Sequence, residues 1–136
     1  MTFALDPRLE RDTLFAGDLI LSRVLVMNDS RWPWAILVPR RENLTEIIDL
    51  PAAERAILME EIASLSQALR DLAEPQKINV AALGNIVSQL HVHVVARYEK
   101  DPAWPGPVFG VGTAVPYPEE EGRAFVARLA QKLGTA

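Results

Sequence analysis

Residues 88–97, "SQLHVHVVAR", decide how the rest of the chain is placed. Both histidines of the chain, His91 and His93, stand here in a run that alternates polar with aliphatic residues. Such alternation marks a strand with one face against a core, because successive side chains point to opposite sides of the backbone. Leu90, Val92 and Val94 are then the core face. Gln89, His91 and His93 share the other, with roughly 7 Å between alternate Cα atoms. An amide and two imidazoles in a row on a central strand need partners from protein, water or ligand.

Working outward, Gly84-Asn85 is a turn, and "KINVAAL" (77–83) ahead of it reads as a further strand. "DLILSRVLVMND" (18–29) and "WAILVPR" (34–40) are two more, joined by "NDSRWP" as an antiparallel hairpin. Between residues 51 and 73 the period changes: Leu58, Ile62, Leu65, Leu69 and Leu72 recur at steps of three and four, the stripe of an amphipathic helix. Glu54, Arg55, Glu60, Glu61 and Arg70 fall off that stripe. Pro51 suits its first turn and Pro75 its stop. Residues 101–118 hold five of the ten prolines and three of the seven glycines, so they form an irregular, functional loop. A last helix spans about 119–133, with Phe125, Val126, Leu129 and Leu133 as its apolar face. The expected architecture is α+β: an antiparallel sheet of about five strands, the long helix packed on it, and a C-terminal helix. One domain over 1–136 is expected, with its core in about 15–112.

The composition excludes several classes of function. A formal net charge of −4, from 14 Lys plus Arg against 18 Asp plus Glu, argues against bulk capture of nucleic acid. With no cysteine, disulfides, thiolate zinc sites and cysteine nucleophiles are ruled out. The start "MTFALDPRLERD" lacks the pattern of a secretory signal, and no apolar run is long enough to span a bilayer. A cytoplasmic protein without membrane partners is expected.

Three kinds of chemistry suit the paired histidines. They are hydrogen-bonded structural side chains, or two of the ligands of a metal whose third ligand is an Asp or Glu from elsewhere. Or they handle phosphate, since a neutral imidazole is a nucleophile near neutral pH and a protonated one donates hydrogen bonds to phosphate oxygens. The turn at Gly84-Asn85 could bring backbone N–H groups and an amide to the same anion.

The stretch "GNIVSQLHVHVV" resembles the signature of the histidine triad (HIT) superfamily of nucleotide hydrolases and transferases. "VLVMNDSRWPWAILVPRR" resembles that family's hairpin, and a proline-started helix and "INVAALGN" follow in the expected order, so the likeness covers roughly residues 15–112. It implies a HIT-like fold and a reaction in which His91 attacks the α-phosphate of a nucleotide to form a covalent nucleotidyl-imidazole. His93 matches a phosphate ligand and Asn85 a phosphate contact after glycine. Asn28 matches a residue that holds the ribose hydroxyls, and Asn79 falls near a family asparagine that approaches the phosphate.

Two positions depart from the pattern. Gln89 replaces the first histidine of the triad, whose main-chain carbonyl orients the nucleophile in the family. Trp34 stands where a histidine is common ahead of the second strand; it either lines the base pocket or packs, and packing is the expectation.

The leading expectation is therefore a nucleotide phosphohydrolase or nucleotidyl transferase, similar to diadenosine tetraphosphate hydrolases. Its substrate would be a dinucleoside polyphosphate or a nucleoside phosphoramidate, its catalytic residues His91, His93 and Gln89. Neither a cofactor nor a metal is required, and the resemblance implies a homodimer. The alternatives are a catalytically weak nucleotide-binding protein of the same fold and, from another class, a metal-dependent enzyme using His-x-His.

Overall fold

The computed structural model describes residues 2–135. Five strands form one antiparallel sheet: β1 (Thr13–Asp18), β2 (Ser22–Met27), β3 (Trp34–Pro39), β4 (Lys77–Ala81) and β5 (Val92–Arg97), in the order β1-β2-β3-β5-β4. Two helices, α2 (Ala52–Ala73) and α3 (Glu119–Leu133), cover one face, and a short helix, α1 (Pro7–Asp12), precedes β1. This is the α+β arrangement that the sequence implies.

The period-two pattern separates two cores. Val24, Val26, Ala35, Leu37, Val92 and Val94 meet Leu58, Leu65 and Leu69 of α2 and Phe125 and Leu129 of α3. On the opposite face Leu25, Trp34, Ile36, Val38 and Val95 are covered by Leu9, Val108 and the partly buried Phe3 and Leu5. β3 and β5 are buried at every position because chain covers both sides of them. Arg97 ends β5 almost fully buried. Its guanidinium pairs with Asp101 at 2.8 and 3.0 Å and donates to Gly106 O at 2.7 Å, fastening the proline-rich loop over the second face.

Several expectations shift. The strand through residues 88–97 starts only at Val92, and the hairpin strands shorten to Ser22–Met27 and Trp34–Pro39. The cause at 88–91 is competition for backbone groups: Leu90 N–H donates to Leu44 O at 2.8 Å instead of to a neighbouring strand. Gly84, at φ +73°, and a bend at 85–87 turn the chain before that point.

Glu61, placed off the apolar stripe, is in fact buried, because one carboxylate oxygen accepts from Leu21 N–H at 2.8 Å in the β1–β2 turn. The sequence assigned no element to α1 and β1. Asp6 caps α1, accepting from Arg8 N–H, and Pro7 follows it, the usual start of a helix. β1 is an edge strand with an irregular register between Phe15 and Asp18, around Gly17 at φ +107°.

Candidate functional site

β5 places His93 on the face away from the long helices, opposite Ile36 of β3 and Ala81 of β4. His91 lies just before the strand, where the chain leaves the 84–90 loop. Both are buried, and their rings meet edge to face with centroids 4.9 Å apart at 70°.

Each imidazole has one nitrogen committed, and the partner settles its tautomer. Nδ1 of His91 lies 2.7 Å from the carbonyl oxygen of Gln89. A carbonyl only accepts, so Nδ1 carries the proton, and the neutral ring keeps a free lone pair on Nε2. Nδ1 of His93 lies 3.0 Å from Nε1 of Trp34. An indole N–H only donates, so this Nδ1 accepts and the proton of the neutral ring sits on Nε2. Burial, with a smaller contribution from His91, pushes the pKa of His93 down from 6.5 to about 3. Phe109 closes over the same ring with centroids 4.8 Å apart. The site thus pairs a nitrogen lone pair with an uncharged N–H donor.

Gln89 lies elsewhere. Its amide oxygen accepts from Asp6 N–H and its amide nitrogen donates to Ala4 O, both at 2.9 Å, as a neighbouring peptide would in a sheet. Arg8 adds a bond to Ile86 O at 3.1 Å. The side chain therefore staples the N-terminal segment to the loop that carries His91, and does not line up with the two imidazoles. Hydrogen bonds from Arg8 hold the Asp6 carboxyl below its ordinary pKa, with a small further pull from His91.

The remaining expected residues are dispersed. Asn85 is exposed in the 85–87 bend. Asn79 shares a cavity of about 340 Å³ with His93 and Phe109, its amide oxygen accepting from Arg97 at 2.7 Å. Asn28 accepts from Tyr117 N–H at 2.9 Å and lines a different cavity of about 530 Å³, with Phe15, Tyr117 and Arg123. A cavity of about 190 Å³ opens on His91 between Thr45, Glu46, Ile47, Ile48, Leu83 and Gly84. No group of three His, Asp or Glu that could hold a metal ion occurs among the described residues.

Two residues at the histidines escaped the sequence reading. Trp34 was expected to pack or to line the base pocket, not to hydrogen-bond a histidine, although its place in the hairpin, where a histidine is common, was the available signal. Phe109 stands in the proline-rich loop, where no periodicity reveals which side chains turn inward.

A family model described as the HIT domain matches residues 8–100. Three solved structures resemble the chain over nearly its whole length. A histidine triad protein from Sinorhizobium meliloti 1021 is 51% identical, with a TM-score of 0.94, covering 96% of this chain and 97% of its own. One from Bradyrhizobium japonicum is 46% identical, with a TM-score of 0.95 and coverage of 98% and 99%. One from Marinobacter aquaeolei VT8 is 46% identical, with a TM-score of 0.95 and full coverage of both chains, 100% and 100%. Among curated proteins none matches.

Proposed function

From its membership of the HIT-domain family, to which this chain belongs, we propose that it is an enzyme acting at the α-phosphate of a nucleotide. The carrying observation is the contact of 2.7 Å between His91 Nδ1 and the Gln89 carbonyl. It directs the lone pair of His91 to Nε2, the nitrogen left for attack. In the first step the Nε2–phosphorus bond forms and the bond from phosphorus to the leaving group breaks, an amine leaving group taking a proton from solvent as it departs. In the second, water or another acceptor displaces His91. His93 donates its Nε2–H to a non-bridging oxygen, and Asn85 and Asn79 are further candidates for the phosphate. Asn28 opens on a separate cavity beside Tyr117 and Arg123 and is withdrawn as a ribose contact for a nucleotide at His91.

The walls of the His91 cavity bear on the leaving group. They include Glu46 and the exposed Ile48 and Leu83, but neither a lysine nor an arginine. Lys77 lines the neighbouring cavity of His93, within the region that would face a polyphosphate, and an amine leaving group would need a proton from solvent to depart neutral. Both a nucleoside phosphoramidate and a dinucleoside polyphosphate stand as proposed substrates. The engagement of the Gln89 side chain weakens the case for a mere binding module, since the contact to His91 uses the backbone. Pairing of two copies is proposed along the edge strand β4, where Val80 is exposed, with Leu83 exposed just beyond the strand.

The test is a panel of both substrate types, with nucleoside monophosphate release followed for wild type and His91→Ala. Release by the wild type alone supports the reading. Binding of nucleoside monophosphate without turnover of any substrate points to the binding module instead.

A further inference from the structure

Trp34 is buried at the start of β3, two residues before Ile36, the position opposite His93, and so on the same face of the sheet. Its ring sits among Trp32, Phe109 and His93, with centroids at 6.2, 5.7 and 5.7 Å. Packing alone would be satisfied by any aromatic ring of similar size. The orientation is more specific, because Nε1–H points at Nδ1 of His93 over 3.0 Å, inside a site closed by Phe109.

We propose that Trp34 is a positioning residue: its indole N–H holds His93 in the tautomer whose one proton, on Nε2, is presented to the phosphate at His91. The inference rests on the functional reading above for the identity of the anion, but not for the state of the ring. In the other tautomer a lone pair would face the anion and repel it, while two N–H groups would meet head to head between His93 and Trp34. A doubly protonated His93 suffers the same clash, since the indole nitrogen cannot accept. Trp34 therefore makes His93 a hydrogen-bond donor and withholds it from service as an imidazolium acid. Ala81 on β4 and Ile36 on β3, its partners across the sheet, offer no side-chain hydrogen bond that could substitute.

The test is nitrogen NMR of the protein labelled in its two histidines, where ring nitrogens with and without a proton resonate far apart. At neutral pH the wild type is expected to show His93 with Nε2 protonated and Nδ1 bare. Trp34→Phe should give a mixture of tautomers and lower kcat by up to about tenfold, the worth of one hydrogen bond, with KM little changed. Replacing Trp34 by benzothienylalanine keeps the ring's size and removes only the N–H, and should have the same effect if the phenylalanine variant does not fold. A proton on Nδ1 in the wild type, or an unaltered tautomer in both variants, overturns the proposal. Absence of turnover in the wild type would sink the functional reading and leave the spectrum to decide the role of Trp34.

Discussion

Acid should destabilise this fold earlier than its carboxylates alone would, and His93 is the cause. Folding buries the ring and lowers its pKa to about 3, against 6.5 when unfolded. Between those values the unfolded chain binds more protons, so stability rises with pH. The contribution is complete above about pH 6.5 and is lost progressively as pH falls towards 3. The whole span is worth about 5 kcal/mol, of which roughly half has gone by pH 4.5. Asp6, Asp12, Asp29 and Asp101 also have lowered pKa values, but their losses begin near the ordinary aspartate value of 3.8 and are nearly silent at pH 4.5. The assay is urea unfolding at pH 7 and pH 4.5, at one protein concentration because association would shift apparent stability. His93→Asn is the control, since its amide oxygen can still accept from Trp34 without titrating. The wild type should lose about 2–3 kcal/mol more than the variant between the two pH values. Equal losses would refute the claim that His93 is held neutral.

His91→Ala should abolish turnover in a protein that still folds, with a lowered urea midpoint because a buried ring is removed and the Gln89 carbonyl loses its donor; retention of a tenth of the activity would contradict this. Gln89→Ala removes two hydrogen bonds to the N-terminal segment and should cost about 1–3 kcal/mol. Turnover should fall only modestly, and amide exchange at Asp6 should quicken; complete loss of activity would mean that the Gln89 side chain is itself catalytic. Asp101→Ala leaves the buried Arg97 without its carboxylate and should cost about 3–5 kcal/mol in urea unfolding. Light scattering at micromolar concentration should give twice the chain mass; a monomer would count against pairing through β4.

Much of the frame was legible because it obeys simple periods. The steps of three and four from Leu58 to Leu72 gave the long helix, and branched aliphatics on either side of "NDSRWP" gave the hairpin. The same period misled at Gln89. Alternation continues in the letters through 88–91, but there the backbone leaves the sheet to bond Leu44, and the amide turns to the N-terminal segment. The N-terminal elements were hidden for another reason: α1 has six residues and β1 is a broken edge strand, too short for a period to show. The histidines themselves were plain, since the motif is local and is rooted in β5. What fixes them was not, because Trp34 and Phe109 reach His93 only through tertiary contacts.

The proposed reaction turns on a covalent intermediate at one nitrogen. Rapid acid-free quenching of a single turnover, followed by proteolysis and mass spectrometry of the peptide holding residues 88–97, looks for it directly. The expected result is one nucleoside monophosphate on His91, formed and lost at rates compatible with turnover and missing from His91→Ala. Turnover that proceeds with no adduct on this peptide, or with the adduct on His93, would contradict the mechanism.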